Sequence, residues 1–143
     1  MALGFFNKII TAVYPDRCLF CSDVVKSGML CCTKCAKTLP FLEGKGIVPH
    51  KDDPFSKIAA PFWYRDGVRH AIGQMKFYGR KDAADFFVPH MLQALEDYSP
   101  DWVVPVPMAE HRRKERGYNQ AELLAEPIAM HLSAEYHPRT AGA

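Results

Sequence analysis

The chain has 143 residues, the length of one ordinary domain with room for a small appendage. Its hydrophobic content of 48% and charged content of 24% are those of a soluble globular protein. The formal net charge of +2 is too small to indicate nucleic-acid binding by itself, so any functional positive charge is local.

The first fifteen residues combine an apolar stretch with one basic residue, Lys8, and lack a small-residue cleavage site. That pattern is poor for a signal peptide and too short to span a bilayer. Leu3, Phe6, Ile10 and Val13 recur at helical spacing, which predicts a short amphipathic helix. We therefore expect no membrane span and a cytoplasmic location.

All five cysteines fall within one short stretch, which contains two C-x-x-C pairs: Cys18 with Cys21, and Cys32 with Cys35. Two such pairs complete a tetrahedral thiolate site for zinc, and four thiolates leave no open position, so the site would be structural. A disulfide framework is the alternative, but the odd cysteine count and the absence of a secretory signal oppose it. Cys31 could replace Cys32 as a ligand, although the second pair would then have the less usual C-x-x-x-C spacing.

A connector rich in proline and glycine follows from Leu39 to Pro54, and we expect a domain boundary there. His50 within it is more readily explained as a solvated side chain than as a metal ligand. The apolar run from Ile58 to Tyr64 predicts a strand that Pro61 would confine to an edge or a bulge.

Two helices are predicted next. Val68, Ile72 and Met75 repeat at helical spacing, and a second helix is predicted from Asp82. Pro89 interrupts the second pattern, so we expect a kink there or a late start near residue 88.

The stretch from residue 101 to residue 125 carries the densest set of signals. Trp102-Val103-Val104, closed by prolines, predicts a buried strand, and a basic loop follows over residues 111–116. A helix with Asn119 as its N-cap comes next. Strand, basic loop and helix is an order in which α/β proteins bind anions, and Arg112 and Arg116 would share one face of any helical turn. The alternative is a solvated basic face.

This stretch, with its Pro-Val-Pro, arginine-rich spacer and Arg-Gly-Tyr-Asn-Gln-Ala-Glu-Leu-Leu-Ala, resembles the signature of the ComF (competence protein F) family of phosphoribosyltransferase-like proteins. The four-cysteine segment and the stretch from Tyr64 to Arg80 are similar to that family as well. The resemblance implies an α/β fold. A small N-terminal helix and four-cysteine zinc ribbon (residues 1–45) would precede the first half of a phosphoribosyltransferase-like, Rossmann-like open sheet (residues 55–143).

By the same resemblance, the phosphate-binding residues would be Lys76, Arg112, Arg116, Gly117 and Asn119. The ligand would be phosphoribosyl pyrophosphate or a pyrophosphate-like anion, accompanied by Mg²⁺, and no residue is assigned as catalytic. Lys76 has a second interpretation, as a helix-terminal lysine that complements the macrodipole.

The sequence also departs from the family pattern. Family members continue into a strand that ends in two adjacent acidic residues and a Thr-Thr-Gly turn, and residues 1–143 contain no such motif. We read the chain as a fragment or a diverged protein, truncated before the phosphoribosyl-pyrophosphate-binding motif, and expect no phosphoribosyl transfer from it.

Two functions follow. The first, implied by the resemblance, is a ComF-family protein linked to natural competence and the handling of imported DNA. The second is a non-enzymatic zinc-ribbon module that binds nucleic acid, such as single-stranded DNA, or a partner protein such as a competence or recombination protein. Phe20, Trp63 and Tyr118 are its candidate base-stacking residues.

Overall fold

The computed structural model describes residues 15–42, 49, 51–52 and 54–138. The predicted amphipathic helix at the N-terminus and the solvated His50 lie outside the described residues. In chain order, the elements are α1 (Thr33–Ala36), α2 (Asp66–Phe77), α3 (Ala83–Ala94), β1 (Trp102–Val103), α4 (Glu110–Arg116), α5 (Gln120–Leu132) and β2 (Glu135–Tyr136). The content is therefore a mixture of helix and strand.

The four-cysteine segment is built from tight turns and one short helix. An antiparallel bridge pairs Arg17 with Val24, and the intervening residues turn back through a Ser22 backbone with a φ of 63°. Cys32 is the N-cap of α1, and its sulfur accepts a hydrogen bond from the backbone N–H of Cys35. The turn and the helix start thus bring both C-x-x-C pairs to one place.

Helix α2 confirms the predicted helix, with Val68, Ala71 and Met75 as its buried residues. Its first turn lies against the four-cysteine segment, since a Cβ added at Gly67 would lie 3.0 Å from the Cβ of Phe20. The helix ends at Phe77, and Gly79 turns the chain with a φ of 70°.

Helix α3 continues through Pro89, so the predicted late start near residue 88 is wrong. A proline inside a helix removes one backbone hydrogen bond, but the remaining ones and the packing of Phe87 in the core hold α3 together. Helix α5 likewise continues through Pro127, and the prediction of Asn119 as its N-cap is confirmed.

The strands β1 and β2 form a parallel pair that aligns Trp102 with Glu135 and Val103 with Tyr136. The prediction of a buried strand over Trp102–Val104 is wrong in length and in burial, since β1 has two residues and Trp102 is 65% exposed. Among the described residues, β1 pairs with β2 alone, and the ring of His137, whose centroid lies 5.3 Å from that of Trp102, covers only part of this tryptophan. The predicted basic loop is also wrong, because its residues form the helix α4.

The run from Ile58 to Tyr64 forms no regular strand within the described part of the chain, so that prediction is wrong. Phe62 makes an isolated antiparallel bridge with Phe41, and the backbone N–H of Trp63 donates to the carbonyl of Pro40. The pairing is therefore with the start of the predicted connector, and it is too short to propagate as a ladder.

One apolar core joins the four-cysteine segment to the helices. It contains Leu19 and Phe20 from that segment, together with Met75 of α2 and Phe87 of α3. The ring of Phe20 meets that of Phe86 edge-on, with centroids 4.9 Å apart. The division into residues 1–45 and 55–143 stays a prediction, and this core contains side chains from both parts. No helix in the described residues is long and apolar enough to cross a membrane.

Candidate zinc centre and cationic cavity

The two C-x-x-C pairs bring four sulfur atoms together. The Sγ atoms of Cys18, Cys21, Cys32 and Cys35 all lie within 4.8 Å of one another, and those of Cys21 and Cys32 are 3.8 Å apart. Zn–S bonds of about 2.3 Å in a tetrahedron separate the sulfurs by roughly 3.8 Å. The cluster therefore has the dimensions of a four-thiolate zinc site, and all its cysteines are free of disulfides.

Backbone N–H groups donate to the sulfur of Cys18 and favour its thiolate. Cys18 accepts hydrogen bonds of 3.4 Å from the amides of Phe20 and Cys32. Burial raises the pKa of the Cys18 thiol, but the amides of Cys32, Phe20 and Cys21 outweigh it and lower the pKa to about 7. A thiolate is the form that binds metal, so Cys18 is prepared for that role near neutral pH.

Cys31 lies next to the cluster but outside the set of four. Its thiol donates to the carbonyl of Cys32 over 3.4 Å, and burial raises its pKa to about 12. A protonated, half-buried thiol behaves as a small apolar side chain. This geometry favours Cys32 over Cys31 as the fourth ligand.

A cavity of about 630 Å³ lies between α2, α3, α4 and α5. Three cations line it: Lys76 from α2, and Arg112 and Arg116 from α4. Its remaining wall is mainly apolar, with Met75 and Leu124 as examples. A cavity with an apolar wall and a few convergent polar groups is the usual form of a small-molecule site.

Arg116 and Arg113 of α4 are held by different contacts. Arg116 donates to Oε1 of Gln120 over 3.1 Å, and its guanidinium lies 5.1 Å from the ring centroid of Phe77. These contacts fix Arg116 at the cavity while part of its guanidinium fork stays available. Arg113 instead forms an ion pair of 3.0 Å with Glu122, so its side chain binds α5 and not the cavity.

Asn119 lines the cavity, but its side chain is engaged within the protein. Its Oδ1 accepts from the backbone of Ala121 over 3.0 Å, and its Nδ2 donates to the carbonyl of Val106 over 3.2 Å. The buried amide thereby caps α5 and ties it to the Pro-Val-Pro segment. Gly117 does not line the cavity; it ends α4 in a left-handed conformation with a φ of 76°.

Two of the predicted stacking residues are wrong, because Phe20 and Tyr118 are buried. Phe20 belongs to the core, and Tyr118 donates its hydroxyl to the carbonyl of Met75. Sequence reasoning also missed Gln120, which lines the cavity, and Phe77, whose ring contacts Arg116. Their signal was position: Phe77 directly follows Lys76, and Gln120 lies four residues beyond Arg116.

Comparisons with known proteins support the zinc ribbon. Residues 9–46 match the family model for a double zinc ribbon domain. The chain is 26% identical over 129 residues to the DNA utilization protein YhgH of Escherichia coli K12, covering 83% of the chain and 56% of that relative. It is also 32% identical over 68 residues to the competence protein ComFC of Bacillus subtilis, covering 46% of the chain and 28% of ComFC.

The chain is a homologue of these DNA utilization and competence proteins. Competence protein F of Haemophilus influenzae is 26% identical over 103 residues, covering 71% of the chain and 42% of that protein. The chain spans about half the length of the curated relatives that it matches over most of its own length. No solved structure matches it. The chain therefore carries an N-terminal four-cysteine zinc ribbon, followed by a part of mixed helix and strand whose cavity is lined by cations.

Proposed function

We propose that the chain is a ComF-type, phosphoribosyltransferase-like protein that binds pyrophosphate or phosphate in the cationic cavity. The observation that carries the proposal is the convergence of Lys76, Arg112 and Arg116, from two separate helices, on one cavity. Like charges brought together raise the local potential, and a bound anion relieves it. Arginine forks match phosphate oxygens bidentately, which makes this set suited to a phosphate group.

The position of α5 supports the same ligand. This helix begins at Gln120, which lines the cavity, so the positive end of the helix dipole lies beside the cations. Asn119 takes a positioning role in this proposal, because it holds the helix start against Val106.

The fold proposed for residues 55–143 is the first half of a phosphoribosyltransferase-like open sheet, preceded by the zinc ribbon as a unit of residues 1–45. The parallel pairing of β1 with β2, connected through α4 and α5, supports it. Residues 1–143 contain no pair of acids followed by a Thr-Thr-Gly turn to hold a ribose, so we expect no measurable phosphoribosyl transfer by this stretch alone.

Mg²⁺ does not fit the described residues as a resident ion. No carboxylate lines the cavity among them, and hard cations require oxygen ligands. Zn²⁺ fits the sulfur cluster, and we assign Cys18, Cys21, Cys32 and Cys35 as its ligands. The ion would hold the turn and α1 together, which is a structural role, because no ligand position stays open.

We further propose a role in the handling of imported DNA and a cytoplasmic location. Similarity to a DNA utilization protein and to two competence proteins supports the proposed role. Single-stranded DNA or another competence or recombination protein would be the partner. The second candidate function is a non-enzymatic zinc-ribbon module that binds nucleic acid. It is favoured by the exposed cations of α4, which could contact backbone phosphates.

Titration of the zinc-loaded chain tests both functions. Pyrophosphate and oligothymidylate are each titrated by calorimetry at about 50 mM and about 200 mM salt. Saturable pyrophosphate binding at both salt concentrations supports the anion site. Binding of the oligonucleotide alone, with a steep loss at the higher salt, supports the nucleic-acid module. If neither ligand binds, both assignments are wrong.

A further inference from the structure

Two aromatic side chains at the end of α2 are exposed to solvent. Phe77 is its last residue and Tyr78 its C-cap, and they are 70% and 73% exposed. Single exposed apolar residues are ordinary at protein surfaces. Two adjacent exposed rings beside a cationic cavity are a less ordinary combination, and the helix does not need them for its core contacts, which Val68, Ala71 and Met75 make.

Cations border both rings. Lys76, the residue before Phe77, lines the cavity, and the guanidinium of Arg116 lies over one face of the Phe77 ring at 5.1 Å. Lys81 follows Tyr78 closely in sequence and lies over the buried ring of Tyr118 at 4.9 Å. The two exposed rings therefore stand between cations in the sequence, and Phe77 contacts a cation that lines the cavity.

We propose that Phe77 and Tyr78 form a base-stacking platform for single-stranded nucleic acid, whose backbone phosphates contact Lys76, Arg112 and Arg116. This inference rests on the proposed anion site. Unpaired bases expose flat faces that stack on aromatic side chains, and the adjoining phosphates need cations within reach. A duplex keeps its bases stacked on one another, so the platform selects single strands.

The interleaving of charge and rings favours nucleic acid over a docked protein. A protein partner that buries an apolar face requires a continuous apolar patch, with charge confined to the rim. Here the adjacent Phe77 and Tyr78 are flanked in sequence by Lys76 on one side and by Arg80 and Lys81 on the other. Sequence-tolerant single-strand binders combine these two kinds of side chain.

The test compares three probes on the zinc-loaded full chain: oligothymidylate, an abasic strand of the same length, and pyrophosphate. The variants are Tyr78→Ala and Phe77→Leu, because leucine keeps apolar contact beneath Arg116 but cannot stack on a base. The control is Tyr64→Ala, which removes a tyrosine that is 62% exposed just before the opposite end of α2.

We expect each test variant to weaken oligothymidylate binding by roughly 5- to 150-fold, the equivalent of about 1–3 kcal/mol per stacked base. For Tyr78→Ala, binding of the abasic strand and of pyrophosphate should stay within about twofold, as should all binding by Tyr64→Ala. Phe77→Trp should retain oligothymidylate binding, and its added fluorescence should be quenched by that ligand. Oligouridylate in a parallel titration identifies the polymer, since the tighter binder of the two is the preferred strand.

Equal affinity of the wild type for oligothymidylate and the abasic strand would overturn the platform. So would an unchanged oligothymidylate affinity in both test variants. In either case, intact pyrophosphate binding would leave the proposed anion site standing. Absence of pyrophosphate binding by the wild-type chain is a separate result, and it would contradict the proposed function.

Discussion

The guanidinium of Arg80 donates two hydrogen bonds, of 3.2 and 3.3 Å, to the carbonyl oxygen of Arg17. The same guanidinium pairs with the carboxylate of Asp82, with a shortest N–O distance of 2.7 Å. Arg17 directly precedes the first cysteine of the cluster, and Arg80 lies in the turn between α2 and α3. One side chain therefore links the zinc ribbon to the helices that form the cavity.

Replacing Arg80 should weaken that link. Arg80→Ala removes both bonds to Arg17, and we expect a loss of about 1–2 kcal/mol in the free energy of unfolding, because the side chain is partly exposed. Urea unfolding measures the change. Arg65→Ala is the matched control: it removes a largely exposed ion pair with Asp66 and should cost less than about 0.5 kcal/mol. Equal losses of stability in the two variants would show that the hydrogen bonds from Arg80 to Arg17 contribute no more than an exposed ion pair.

Removal of zinc should affect more than the ribbon. Leu19 and Phe20 lie in the same core as Met75 and Phe87, so unfolding the ribbon exposes apolar surface on α2 and α3. After chelation we expect faster hydrogen exchange in α2 as well as in residues 15–42. Unchanged protection of α2 in the metal-free chain would contradict this expectation.

The ligand set itself makes a second prediction about zinc. Cys32→Ser should lower the metal content below one ion per chain, because three thiolates bind zinc more weakly than four. Cys31→Ser is the matched control at the next position, and it should keep the full metal content, because the Cys31 thiol bonds to a carbonyl and lies outside the set of four. Elemental analysis of protein purified without added zinc gives both numbers. The reverse pattern would make Cys31 the ligand.

Arginine variants test the cavity. Arg112→Ala and Arg116→Ala should each weaken pyrophosphate binding by roughly 5- to 150-fold, since each removes charge-assisted hydrogen bonds worth about 1–3 kcal/mol. Lys114→Ala removes the same formal charge from an exposed position on α4 outside the cavity lining, and it should change the affinity less than about twofold. A uniform effect of all three variants in calorimetry would indicate general charge attraction and not a site.

Asn119 should matter for stability. Asn119→Ala removes the cap of α5 and the bond to Val106, and we expect a cost of about 1–3 kcal/mol. Asn119→Asp keeps the capping acceptor but loses the donor, so its loss in urea unfolding should be intermediate. If Asn119→Asp is as unstable as Asn119→Ala, the cap contributes little.

The sequence correctly predicted features that depend on residues close together in the chain. The spacing of the cysteines identified the sulfur cluster, the repeat of Val68 and Met75 identified α2, and Asn119 marked the start of α5. Each of these features depends on residues a few positions apart, whose geometry the chain itself imposes.

Features that depend on distant partners were predicted poorly. The run Trp102–Val104 has the composition of a buried strand, but its burial requires neighbouring strands that local sequence does not specify. The same holds for the run from Ile58 to Tyr64, which bridges to Phe41. Pro89 does not delay the start of α3, because tertiary packing of that helix compensates for one absent hydrogen bond.

The parallel pairing of β1 with β2 has a consequence for the order of folding. The core residues from Cys18 to Phe87 are all synthesised before β1, whereas β2 follows only after α4 and α5 have emerged. Closing that long connection costs entropy that is recovered only when Glu135 reaches Asp101. On the ribosome, the ribbon and the two helices packed on it can therefore consolidate first, and the cavity closes as the last cooperative step of assembly.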